Sequence, residues 1–138
     1  MSTTHVPLAL RSANFERASG RCEYCLVPSI GVLFPHEPDH IIAEQHGGAT
    51  TLENLALACV HCNAFKGTNL SSVDPETREI VLLYNPRTDR WDDHFRLDGP
   101  RILPLTPTGR ATARLLRFGD PEREQARRDL WLVQRYPG

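Results

Sequence analysis

Two sets of reactive side chains lie close together in this 138-residue chain. Four cysteines stand as two C-x-x-C pairs, Cys22-Glu23-Tyr24-Cys25 and Cys59-Val60-His61-Cys62. A chain that opens Met1-Ser2-Thr3-Thr4-His5 has neither the charged nor the apolar region of a secretion signal. In that context two such pairs point to a tetrahedral Zn2+ site rather than to disulfides. A redox dithiol is the other chemistry open to a C-x-x-C pair, but it does not explain why there are two. The 33 residues between the pairs exceed the loop of a compact zinc finger, so the metal would tie together two separate knuckles.

The second set is Asp39-His40 and, one residue past a cysteine, Asn63. These residue types suit phosphodiester hydrolysis. Water must lose a proton as it attacks, and a neutral histidine is the natural base near neutral pH. The charge that develops on the phosphate calls for a cation, and Mg2+ prefers carboxylate and amide oxygens. Neighbouring side chains on a strand point to opposite faces. Asp39 and His40 can therefore serve one site only if the backbone bends there or the site lies at the strand end. Asn63 would be held firmly enough by the adjacent knuckle to supply a second oxygen ligand.

Asp39-His40-Ile41-Ile42, Gly47-Gly48, Asn54-Leu55 and Cys59-x-x-Cys62-Asn63-x-x-Lys66 together resemble the HNH endonucleases, whose fold is a β-hairpin and helix around a metal. The likeness is most specific from Cys22 to Gly67. Asn85-Pro86-Arg87, Trp91, His94-Phe95 and Thr106 to Ala113 also resemble an extension carried by a bacterial subset of these proteins. The resemblance implies that His40 is the general base, with Asp39 and Asn63 as ligands of the catalytic cation. It implies that Asn54 braces the loop and orients the base, and that Lys66 is a basic residue near the metal helix, able to contact phosphate. Many members have histidine where this chain has Asn63, and an amide there favours Mg2+ or Mn2+ over zinc.

The elements that must position these groups follow from periodicity and stop signals. A helix is expected over Pro7–Ser19, with Leu8, Phe15 and Ala18 on its apolar face and Gly20 as its stop. Ile30–Phe34 reads as a brief extended piece. A strand starting near Asp39 and a return strand over Leu55–Ala58 would form a hairpin, followed by a helix from Asn63 to Leu70. Further strands are expected at Ile80–Tyr84, Trp91–Leu97 and Arg101–Leu105. A helix from Thr108 to Phe118 precedes a last one that opens at Asp120-Pro121 and runs to about Arg135. Leu115, Leu116, Leu130 and Trp131 supply apolar side chains that would pack these two helices as a hairpin on the core.

The fold class is thus α+β: a ββα-metal core stapled by a four-cysteine zinc site, with a small strand region and a C-terminal helical hairpin. Residues 1–138 form one domain, divided into a core over 20–70 and an extension over 71–138. No apolar run approaches the roughly 18 residues of a membrane span, so a cytoplasmic protein with no membrane partner is expected. The formal net charge is −1, although Phe95 to Gly138 carries nine arginines against five acids. Arg110, Arg114 and Arg117 share one helix face, suited either to tracking a phosphate backbone or to pairing with acids such as Glu122 or Glu124. His36 and His46 flank the site and could approach phosphate or metal, but read first as surface histidines; His61 reads as exposed or as stabilising thiolate, and His94 as a hydrogen-bond partner within the fold.

The leading functional expectation is a metal-dependent endonuclease acting on DNA, a monomer or a homodimer. The alternative is a catalytically inactive zinc-stabilised module that binds nucleic acid or protein. All three of Asp39, His40 and Asn63 are present, which favours the enzyme.

Overall fold

The computed structural model describes residues 5–30 and 33–138. Its centre is an antiparallel hairpin, β1 (Glu37–His40) and β2 (Leu55–Ala58), followed at once by helix α2 (Val60–Lys66). Asp39 stands opposite Ala56 and His40 opposite Leu55. Every residue of β2 is buried, because helix α1 (Leu8–Arg17) and the first cysteine knuckle cover it.

The expected apolar face of α1 is not what docks it. Leu8 is 76% exposed and Phe15 43%, while Asn14 is fully buried. The Asn14 amide donates to the Ala56 carbonyl at 3.3 Å, and Arg17 donates to the Leu52 carbonyl at 2.7 Å. β2 approaches α1 with carbonyls, so polar side chains fit there better than a hydrocarbon face would.

Helix α2 begins three residues earlier than expected and ends four earlier. Cys59 caps it, its sulfur accepting from the Cys62 N–H at 3.4 Å, and Gly67 leaves it at φ 54°. Of the apolar piece expected over 30–34, residues 31 and 32 lie outside the described residues; Ile30, Leu33 and Phe34 are exposed and form no strand.

The extension adds two more two-stranded sheets, β3 (Ser71–Val73) with β4 (Ile80–Leu82), and β5 (Phe95–Asp98) with β6 (Arg101–Pro104). Trp91–His94, expected as strand, is instead the short helix α3, and only from Phe95 does the chain extend. Asp92 and Asp93 in its first turn favour this helix start, and the Trp91 indole N–H is anchored on the Tyr24 carbonyl at 2.8 Å.

Helix α4 (Pro107–Leu115) is capped by Thr106, whose hydroxyl accepts from the Gly109 N–H at 3.0 Å and also bonds His94 Nδ1 at 2.6 Å. Helix α5 (Pro121–Leu132) packs through arginines rather than through Leu130 and Trp131; Trp131 is exposed, whereas Arg123 and Arg127 are buried. Arg127 donates to the Pro100 and Phe118 carbonyls, both at 2.7 Å, and Arg123 donates to the Leu116 carbonyl. The unpaired carbonyls at the end of α4 call for donors, and a guanidinium supplies several at once.

The arginine face expected on α4 is largely engaged elsewhere. Arg110 forms a two-point ion pair with buried Asp74 at 2.9 Å, and Arg117 lies 4.7 Å over the Phe65 ring. The acids involved are Asp74 and Glu76, not Glu122 or Glu124. One core cluster joins the four cysteines and Tyr24 to Tyr84, Phe95, Ile102, Leu116 and Phe118, so core and extension share their interior. Among the described residues no helix is long and apolar enough to cross a membrane.

Candidate functional site

The four cysteines converge, all buried, with their sulfurs within 4.8 Å of one another. Tetrahedral zinc with Zn–S bonds of about 2.3 Å has sulfur edges of about 3.8 Å, whereas a disulfide needs about 2.05 Å. Cys25 Sγ and Cys59 Sγ are 3.7 Å apart and all four cysteines are free, so the cluster has the dimensions of a metal centre. Sulfur hydrogen bonds from Cys22, Cys25 and Cys62 pull the Cys59 thiol well below its ordinary range, while burial pushes Cys22 and Cys62 up. One terminal nitrogen of Arg123 stands 3.1 Å from Cys62 Sγ and 3.6 Å from Cys59 Sγ. A four-thiolate zinc centre carries a formal charge of about −2, and Arg123 is a cation placed against it.

Beside this cluster, Asp39, His40 and Asn63 line one cleft of about 280 Å³, together with Val6, Arg11, Glu37, Gly67 and Thr68. His40 is the last residue of β1, and the cleft is lined by all four residues of that strand, Glu37 to His40.

Asp39 is 4% exposed. Its Oδ2 accepts the Tyr24 hydroxyl at 2.8 Å, and the Lys66 ammonium lies 3.1 Å from Oδ2. Burial raises the Asp39 pKa, opposed by the charge of Lys66 and the bond from Tyr24. Lys66 is itself 3% exposed and also donates to the carbonyls of His40 at 3.2 Å and Ile41 at 3.4 Å. Its nitrogen is therefore directed at Asp39 and the β1 backbone, and a solvated helix position does not describe it.

His40 Nε2 is paired with the Thr50 hydroxyl at 2.9 Å, and Nδ1 is buried without a hydrogen-bond partner among the described residues. His36 Nδ1 is likewise buried and unpartnered among the described residues, and each such atom carries a desolvation cost.

The loop that carries Thr50 is laced by Asn54. Its amide donates to the Ile42 carbonyl at 2.9 Å and the Ala49 carbonyl at 2.8 Å, and its oxygen accepts from the Ile42 N–H at 2.9 Å. Gly48 makes this possible, since a Cβ there would fall 1.7 Å from the Ile42 carbonyl oxygen. Of the other histidines, His36 is buried and bonded to the Val27 carbonyl at 2.9 Å, contrary to a surface reading. His46 Nε2 meets the Thr68 carbonyl at 3.2 Å, and His61 is exposed and stacks on Phe65.

Sequence reasoning passed over three residues in this arrangement: Tyr24, Thr50 and Arg123. An aromatic residue between two candidate metal ligands was a usable signal for Tyr24. Thr50 and Arg123 are ordinary loop and helix residues whose partners lie far along the chain, and no local pattern marks them.

The oxygen set of Asp39 and Asn63 suits a hard divalent cation, and the sulfur set suits zinc. Compared with known proteins, residues 22–69 match the family model described as HNH endonuclease. No curated protein and no solved structure matches the chain. The segment with the sulfur cluster, the hairpin and α2 is an HNH endonuclease domain.

Proposed function

We propose that this protein is a metal-dependent endonuclease that hydrolyses DNA phosphodiester bonds, with His40 as general base and Asp39 and Asn63 as ligands of one Mg2+ or Mn2+. The observation that carries the reading is the shared cleft of Asp39, His40 and Asn63; His40 Nδ1 is buried without a hydrogen-bond partner among the described residues. With its proton on Nε2 and donated to Thr50, the imidazole keeps a lone pair on Nδ1. Nδ1 takes a proton from water as the water oxygen bonds to phosphorus and the bond to the leaving oxygen breaks. Asp39 and Asn63 would hold a divalent cation, which when bound would supply positive charge for that leaving oxygen.

Asn54 acts here by holding the loop, and so Thr50 and His40, in register. Lys66 acts as the buried counter-cation beside Asp39, its charge opposing the rise in the carboxyl pKa that burial causes. The four cysteines hold structural zinc that fixes the start of α2, and with it Asn63.

The test is incubation of purified protein with supercoiled plasmid and Mg2+ or Mn2+, scored for nicked and linear products. Cleavage is expected, and His40→Ala should reduce it by about 10²–10⁴-fold with zinc content and melting temperature unchanged. An inactive wild-type protein across both metals would favour the binding module. A fully active His40→Ala would remove the base assignment.

A further inference from the structure

We infer that Tyr24 is a positioning residue, through which the cysteine knuckle sets the orientation of the Asp39 carboxylate. The inference rests on the proposed role of Asp39 as a ligand of the catalytic cation. Tyr24 sits between Cys22 and Cys25, and its hydroxyl reaches across to Asp39 Oδ2 at 2.8 Å, both residues being buried.

Tyr24 is held at its backbone, its ring and its hydroxyl. The Tyr24 backbone carbonyl accepts the Trp91 indole N–H at 2.8 Å, and the Tyr24 ring meets Tyr84 edge-on with centroids 6.3 Å apart. The preceding residue fastens the knuckle to the hairpin. The Glu23 N–H donates to the Leu57 carbonyl, and the Glu23 carboxylate accepts from the Leu57 N–H, both at 2.8 Å. The knuckle is thus locked to β2, and the Tyr24 hydroxyl spans to β1, the neighbouring strand. A position between two metal-held cysteines leaves its backbone little freedom.

A carboxylate can turn about its last bond, and each oxygen offers about two lone pairs. A hydroxyl bonded to Oδ2 restricts that turn and determines which lone pairs remain for a cation. Lys66 also touches Asp39, but an ammonium is a compact charge with rotatable donors and restricts orientation less than a phenol on a rigid ring. Partners of this kind typically change metal affinity or activity by about 10–100-fold when removed.

The experiment compares wild-type protein, Tyr24→Phe, Asp39→Asn and the double variant. It measures Mn2+ binding by electron paramagnetic resonance, the Mn2+ dependence of plasmid cleavage, zinc content and thermal melting. Tyr24→Phe should keep one zinc per chain and a cooperative melt. Its Mn2+ dissociation constant and half-saturating Mn2+ should rise by about 10–100-fold, with most of the turnover recovered at saturating Mn2+. In the Asp39→Asn background, removing the hydroxyl should have little additional effect.

Wild-type Mn2+ affinity in Tyr24→Phe overturns the inference. So does an undiminished further loss in the Asp39→Asn background, or loss of zinc or of the melting transition, since each would make the phenol a folding element only. A wild-type protein with no Asp39-dependent Mn2+ binding overturns the metal-site reading itself.

Discussion

Lys66 is the only lysine in the chain, and its replacement by methionine isolates one buried charge. The ammonium and the Asp39 carboxylate lie 3.1 Å apart with side-chain exposures of 3% and 4%. Removing one partner from a buried ion pair typically costs about 3–5 kcal/mol, because the remaining charge is left uncompensated. Tyr24 still donates to Asp39 in the variant, so the lower end of that range is expected, about 3 kcal/mol. For a domain of this size that corresponds to a fall of roughly 10 °C in melting temperature.

Melting would be followed by circular dichroism with zinc buffered and no Mg2+ or Mn2+ present. Adding Asp39→Asn to Lys66→Met should restore most of the loss, because the amide oxygen still accepts from Tyr24 and no charge remains unpaired. Mn2+ should stabilise Lys66→Met more than it stabilises wild-type protein, since a second cation then answers the bare carboxylate. A Lys66→Met protein that melts with wild type refutes the reasoning. A deficit untouched by Asp39→Asn refutes it equally, because the cost would then come from packing.

Three further outcomes are expected. Thr50→Val removes the partner of His40 Nε2 and should lower plasmid cleavage about tenfold or more, while Thr50→Ser retains the rate. Gly48→Ala would place its methyl group against the Ile42 carbonyl and the Asn54 amide, so proteolysis should cut the 43–54 loop faster and cleavage should fall while zinc is retained. Asp74 is held well below the usual carboxylate range, first by its hydrogen bonds from Arg110. A depressed folded pKa means its contribution is full above about pH 4 and is lost as pH falls further. Asp74→Asn should therefore lower the urea midpoint at pH 7 and flatten its dependence on pH below about 4; parallel acid limbs in the two proteins would contradict the assignment.

The readable parts of the site were those where short spacing leaves few chemical options. Two C-x-x-C pairs converge because a thiolate metal centre is what such pairs build, and the Asp39-His40 pair lies at a strand end facing the helix that Asn63 rides. The hairpin and most helices were legible from stop signals and alternation. The errors fell where a polar residue is buried by a distant partner. Asn14 docks α1 through a carbonyl 42 residues away, and Lys66 turns inward to a carboxylate 27 residues away. A helix pattern records polarity but not which polar groups are satisfied internally, so nothing in the sequence marks Arg123 and Arg127 as the residues that anchor α5. Trp91 was read by strand propensity, whereas its indole bond to the Tyr24 carbonyl and two adjacent acids favour a helical turn.

The guanidinium of Arg123 against Cys59 and Cys62 bears on how this domain can be inherited or transplanted. The family match ends at residue 69, yet the cation that answers the sulfurs arrives more than fifty residues later in the chain. Tyr136 extends the same dependence, its hydroxyl donating to the Cys25 carbonyl at 2.7 Å. A graft of 22–69 into another protein would carry the ligands but leave their electrostatic complement behind. Recombination that shuffles the 22–69 segment would therefore need to move the C-terminal helix with it, or find another cation for the cysteine cluster.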